Sequence, residues 1–161
     1  MSKKTVAKKT VKKKTAKKKT AKRLAPPFDP AKWDRGLVAA HKGYVNAINS
    51  NSADNVMQMY DEGIVIMQPD GKLVTGYVPV KNWAAGYFEE FKTHWVKTST
   101  AMWVGGDYGF DQGVDKAVDI PRRGGPTQRY TVKGILIYKR QENGKWLVYR
   151  DIWNSNSPAR P

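Results

Sequence analysis

Charge in this chain is segregated, and the segregation decides which part of it can fold. Between Met1 and Leu24 stand eleven Lys and one Arg, with no acidic residue. The remainder of the 161-residue chain holds 17 basic against 14 acidic residues, so the formal +15 shrinks to +3 outside that segment. Thr5, Thr10, Thr15 and Thr20 recur every five residues between the lysines. That period matches neither a helix face nor strand alternation, so no apolar seam forms. Like charges repel, and little apolar surface offsets the entropy of ordering the segment. The expectation is a disordered tail over residues 1–28, ending in the proline hinge Ala25-Pro26-Pro27-Phe28, and one folded domain over 29–158.

A tail of this kind meets polyanions by neutralising phosphates and releasing counterions. The residues expected to do so are Lys8, Lys9, Lys12, Lys13, Lys14, Lys17, Lys18, Lys19, Lys22 and Arg23. With no aromatic among them to stack on bases, sequence readout is not expected. The composition resembles the lysine-rich tails of linker-histone-like and bacterial nucleoid-associated proteins. A solubilising leader without a partner is the plainer alternative.

Other classes lose their warrant. The chain has no Cys, which removes disulfides, thiolate metal sites and a Cys nucleophile. His41 and His94 show no metal-ligand spacing, so no metal is expected. Serine-hydrolase elbow, P-loop and dinucleotide fingerprint are all absent, which leaves cofactor-free acid–base chemistry as the simplest enzymatic form. No run is long enough to span a bilayer. The N-terminus lacks the apolar stretch of a signal peptide. The expectation is a cytoplasmic protein, nucleoid-associated if the tail finds DNA.

In the domain, Trp33, Leu37, Ala40, Tyr44 and Ile48 step along one helical face, which stops at Asn49-Ser50-Asn51. Ser52 suits the N-cap of a short second helix, Ala53 to Tyr60. The run Ile64–Met67 reads as a strand, returned by Lys72–Thr75 after the Gln68-Pro69-Asp70-Gly71 turn. Pro79 opens a third helix with Val80, Trp83, Ala84, Tyr87, Phe88 and Phe91 on its apolar side. Four long strands follow at about Lys97–Val104, Tyr108–Val118, Tyr130–Arg140 and Lys145–Trp153. Together these imply an α+β fold in which a curved antiparallel sheet carries three N-terminal helices on its concave face.

The segment Gly144-Lys145-Trp146-Leu147-Val148-Tyr149-Arg150-Asp151-Ile152-Trp153-Asn154-Ser155 resembles the closing strand of SnoaL-like domains in the nuclear transport factor 2-like superfamily, which includes ketosteroid isomerase. The helix leading to Tyr60, Gly76 before the third helix, and Gly106-Asp107 to Gly113 fit the same pattern in the same order. The resemblance implies a cone fold, an interior pocket and frequent homodimerisation through the outer sheet face. It names no single activity, because related domains include isomerases, cyclases, dehydratases, epoxide hydrolases and binding modules.

Asp151 is the leading catalytic candidate. It lies on an apolar strand, where alternation groups it with Leu147, Tyr149 and Trp153, and a carboxylate among aromatics tends towards a raised pKa. Structural acceptance of hydrogen bonds from an Arg or a helix end is its alternative. Tyr44 is the second candidate, since in ketosteroid isomerase a tyrosine on the first helix polarises the substrate carbonyl; that enzyme's base has no match here. Tyr60, Trp83, Tyr149 and Trp153 are the expected pocket residues, with core packing as their competing role. Two readings follow: a pocket for an unidentified small molecule running isomerase, lyase or hydrolase chemistry, or a non-catalytic dimeric module whose tail binds nucleic acid.

Overall fold

The computed structural model describes residues 29–157, so the expected tail and its basic residues lie outside the described residues. A single 3₁₀ turn, Pro30–Lys32, leads into α1 (Arg35–Asn49), α2 (Ala53–Met57), β1 (Tyr60–Met67) and β2 (Val74–Thr75). Helix α3 (Tyr77–Glu90) precedes β3 (Phe91–Gly105), β4 (Tyr108–Pro121), β5 (Gln128–Arg140) and β6 (Trp146–Ser155). The six strands form one curved sheet in the order β2-β1-β6-β5-β4-β3. The architecture is α+β, as expected. Two details differ from expectation: β1 runs parallel to β6 inside an otherwise antiparallel sheet, and α3 enters after β1 and β2, so the helices are not all N-terminal to the strands. No helix among the described residues is long and apolar enough to cross a membrane.

Local chemistry sets these boundaries. Asp34 caps α1 by accepting from the Leu37 N–H at 2.8 Å, and Ser52 caps α2 by accepting from the Asn55 N–H. Helix α2 ends at Met57, and Tyr60 opens β1 opposite Val148 instead of closing the helix. The polar stop of α1 has a second task. Asn49 donates to the Trp95 carbonyl and accepts from the Trp95 N–H, at 2.9 and 2.7 Å. Asn51 does the same for Thr93, at 3.0 and 2.6 Å. Strand β3 is the sheet's edge, and these two amides occupy backbone groups that an edge leaves unpaired. They also lock α1, and with it Tyr44, to the wall of the cone.

Beneath the helices lies one apolar cluster. Leu37, Tyr44 and Ile48 of α1 meet Ile64, Ile66, Met102, Leu136, Tyr138 and Val148 of the sheet, with Val80, Ala84 and Phe88 of α3 alongside. Trp33 packs against this cluster from outside α1, so the helical face read from it begins at Leu37. Strand β3 starts at Phe91, six residues earlier than expected, and Phe91 belongs to it instead of to α3. Its inward positions Thr93 and Lys97 are polar, which conceals the alternation.

Two bulges set which side chains face inwards. In β3 the pairing with β4 slips between Ser99 and Ala101, turning Met102 into the core. In β6, Ile137 pairs with Arg150 while Tyr138 pairs with Val148, so Tyr149 is an extra residue.

Candidate functional site

The bulge at Tyr149 places Asp151 at the centre of the sheet. Asp151 lies opposite Ile66 on β1 and Leu136 on β5, and is 6% exposed. Because one extra residue separates it from Val148, it shares the inner face with Trp146 and Val148. The alternation that grouped it with Leu147 and Tyr149 fails for that reason. Tyr149 instead packs its ring near Tyr108 and under the Arg150 guanidinium, and is not part of the cavity.

Asp151 Oδ2 accepts hydrogen bonds from the Tyr44 and Tyr60 hydroxyls, the first a short one and the second 3.3 Å. The two phenol oxygens are 3.1 Å apart. Among the described residues, no Arg and no helix end engages this carboxylate. Both bonds fall on one oxygen, Oδ2, and Asp151 lines both the aromatic cavity and a smaller polar space beside it. Burial lifts the Asp151 pKa above the ordinary 3.8, while the charge of Lys97 and the two phenol hydrogen bonds pull it back. The Tyr44 and Tyr60 hydroxyls are pushed well above the usual phenol range, by burial first and by the Asp151 charge next. They stay protonated and act as donors.

These groups form the floor of a cavity of about 230 Å³. Its walls carry Trp83, Tyr87, Trp95, Tyr130 and Trp153. The Trp83 and Tyr87 rings are parallel at 6.0 Å, Trp153 lies 6.2 Å from Trp83, and Trp95 meets Tyr130 edge-on at 5.8 Å. Trp83 donates its indole N–H to Gln68 at 3.1 Å, which fixes the ring against the β1–β2 turn. Tyr44, Tyr60, Trp83, Trp153 and Asp151, expected from sequence, thus line one space. Trp103 stacks on Phe110 at 5.1 Å and is not among the cavity residues.

Two groups at the site went unread in the sequence, and so did the partner of His41. Lys97 lines the cavity with its ammonium 2.7 Å from Asp115, 4.7 Å from the Trp95 ring centre and 5.6 Å from that of Tyr44. Asp119 accepts from Tyr87, Tyr130 and Thr93 on the inner face. His41 reaches Asp111 at 2.5 Å. A period-two reading begun at Thr93 gives Trp95, Lys97 and Ser99 on one face, and would have found the lysine. Among the described residues no group of three or more His, Cys, Asp or Glu is arranged to hold a metal.

No protein-family model matches the chain, and no curated protein matches it either. Solved structures do. A ketosteroid isomerase-like protein from Erwinia carotovora atroseptica is similar with a TM-score of 0.69 at 17% identity, over 76% of this chain and 95% of that one. A nuclear transport factor 2-like superfamily protein from Salmonella enterica serovar Typhimurium gives 0.69 at 15%, over 77% and 91%. A protein from Streptomyces avermitilis, proposed as a dehydratase of the nuclear transport factor 2-like family, gives 0.67 at 14%, over 76% and 95%. At such identities the likeness is one of fold: the described domain has the cone architecture of that superfamily.

Proposed function

We propose that the domain is a SnoaL-like small-molecule-binding cone that carries out cofactor-free proton transfer on an apolar ligand with a polarisable oxygen. The observation that carries this is the Asp151 carboxyl, buried at the floor of a mostly aromatic cavity with both its hydrogen bonds on one oxygen. Oδ1 takes a proton from a carbon or hydroxyl of the ligand, and the raised pKa lets the carboxyl hold that proton between steps. Tyr44 or Tyr60, freed from Oδ2 as the carboxylate is neutralised, donates to the oxygen on which negative charge develops. Trp83, Trp153 and the other rings exclude water and hold a flat ligand. The similar folds of a ketosteroid isomerase-like protein and of a protein proposed as a dehydratase support this class of chemistry.

The test uses cyclic enones and aromatic ketones as probes, screened by thermal shift and then followed by NMR for deuterium uptake at the α-carbon in D₂O. Asp151→Asn is expected to slow uptake by about a hundredfold or more, with probe affinity changed only a few-fold. Equal uptake by both proteins, or a screen in which no probe binds, overturns the reading.

The second reading rests on the twelve basic residues before Ala25, which stand without a compensating acid. In it the chain is a dimeric, nucleoid-associated module that holds DNA through the tail. Val96, Val104, Tyr108 and Ile120, all well exposed on β3 and β4, support pairing through the outer sheet face. Deleting residues 1–24 should then abolish salt-sensitive DNA retention without moving the melting temperature. Retention that survives the deletion refutes it.

A further inference from the structure

Asp151, Lys97 and Trp153 also line a second and far smaller space, of about 20 Å³. It is lined by Lys97, Ser99, Asp111, Asp115, Asp151 and His41. That is room for one water molecule, and the lining is polar enough to hold it. Ser99 Oγ is buried and has no hydrogen-bond partner among the described residues, a condition that native interiors rarely leave uncorrected. The Tyr138 hydroxyl, on a fully buried side chain of β5, likewise lacks a partner. Its pKa is raised by burial first, then by the charges of Asp111 and Asp151, so it stands close to the same acids.

We propose that this space holds a single water which, together with the Asp111–His41 pair, conducts protons between Asp151 and bulk solvent. Asp151, Asp111 and Ser99 all line this space, and the buried Ser99 Oγ offers the water an anchor. Asp111 is only 3% exposed at its side chain and bonds His41 Nδ1 at 2.5 Å. The His41 side chain, on α1, is 16% exposed and forms the outlet. Asp115 does not compete for the role, because Lys97 Nζ and the Thr98 N–H already hold its two oxygens at 2.7 and 3.1 Å. Outward, Asp151 gives a proton to the water, the water passes one of its own to Asp111, Asp111 passes one to His41 and His41 releases one to solvent. The return runs the same bonds in reverse, so no charge accumulates. The inference deepens the proton-transfer reading: with an apolar ligand in the aromatic cavity, this route lets Asp151 exchange its proton through the second space.

The test reads the route without any ligand, so it is independent of whether the probes above turn over. In the 161-residue chain, NMR saturation transfer measures how fast the Tyr44–Asp151 hydrogen-bond proton exchanges with water. Ser99→Val fills the space and removes its anchor. His41→Gln keeps a donor for Asp111 but has no basic ring nitrogen to pass a proton on. Each is expected to slow exchange by about a hundredfold, the lower end of what a positioned acid–base group contributes. The Tyr130–Asp119 proton, distant from the space, should exchange at its original rate in both variants. If neither substitution changes the Asp151 proton's exchange, protons leave through the aromatic cavity or by local opening, and the proposal fails. If Ser99→Val does not fold, His41→Gln decides alone.

Discussion

Two carboxylates in this cone are each held by a pair of tyrosines, yet their geometry separates them. Asp119 accepts on both oxygens: Thr93 and Tyr87 reach Oδ1 at 2.5 and 2.8 Å, and Tyr87 and Tyr130 reach Oδ2 at 2.8 and 2.7 Å. Its lone pairs are spent on α3, β3 and β5, and it ties the cavity's aromatic wall together. Asp151 receives Tyr44 and Tyr60 on Oδ2 alone. The phenols differ accordingly. Burial pushes Tyr87 up to about 12, whereas Tyr44 and Tyr60, wholly enclosed and facing a carboxylate in the same enclosure, rise well above their usual range. A fully satisfied acid is structure. An acid with a spare oxygen at a cavity floor is available for chemistry.

The largest effect expected from this contrast is on stability. Asp119→Ala strips three hydroxyls of their common acceptor, and the loss should reach about 3 kcal/mol. For a domain of this size that lowers the melting temperature by roughly 10 °C. Asp151→Ala should cost clearly less, because it strips two hydroxyls instead of three, and one of those bonds is long at 3.3 Å. Equal losses in calorimetry would break the distinction between the two sites.

Much of this arrangement was legible before any coordinates. The α1 face through Leu37, Tyr44 and Ile48, the Ser52 cap and the glycine turns all follow from local rules, and Gly106 and Gly144 do adopt positive φ of 61° and 80°. Asp151 stood out as a lone acid on an apolar strand. The Asp119 cluster did not, because β4 reads inside out. Its inner face carries Asp111, Asp115 and Asp119, while Ile120 on the outer side is 47% exposed. A hydrophobic-in rule assigns such a strand the wrong face. Tyr149 failed for a different reason: one unpaired residue reverses everything beyond it, and no residue type in Tyr149-Arg150 announces a bulge. The parallel pairing of β1 with β6 is a long-range event that neither strand's own pattern encodes.

The second effect has the opposite sign and depends on pH. Folding raises the Asp151 pKa, mainly through burial, so the native state holds this proton more tightly than the unfolded chain. The resulting stabilisation is complete below the ordinary value of 3.8 and is lost as pH rises through the elevated native value. Asp151→Asn keeps an acceptor for Tyr44 but cannot ionise. Its melting temperature relative to wild type should therefore climb as pH increases across that window, then level off. Asp119→Asn serves as the control, with no such climb expected from the Asp151 proton, which it leaves in place. A wild-type-minus-variant difference that stays flat for Asp151→Asn would mean that its burial is not what governs its charge.

The smallest effect lies inside the Asp151 site, between its two phenols. Tyr44 makes the short bond to Oδ2, while Tyr60 is 3.3 Å away and shares its hydroxyl with Tyr44 at 3.1 Å. Bonds weaken as they lengthen, and a hydroxyl with two mediocre partners contributes less than one committed to an ionised acceptor. Tyr44→Phe should cost about 1.5 kcal/mol and Tyr60→Phe about 0.5 kcal/mol, measured by denaturant unfolding. Either change also removes a hydrogen bond that favours the charged carboxylate, so each should push the Asp151 pKa further up, Tyr44→Phe by the greater amount. Carboxyl ¹³C NMR titration of the two variants reads that order directly. If Tyr60→Phe shifts it more, the proton is held chiefly by Tyr60, and the donor in the proposed chemistry passes from α1 to β1.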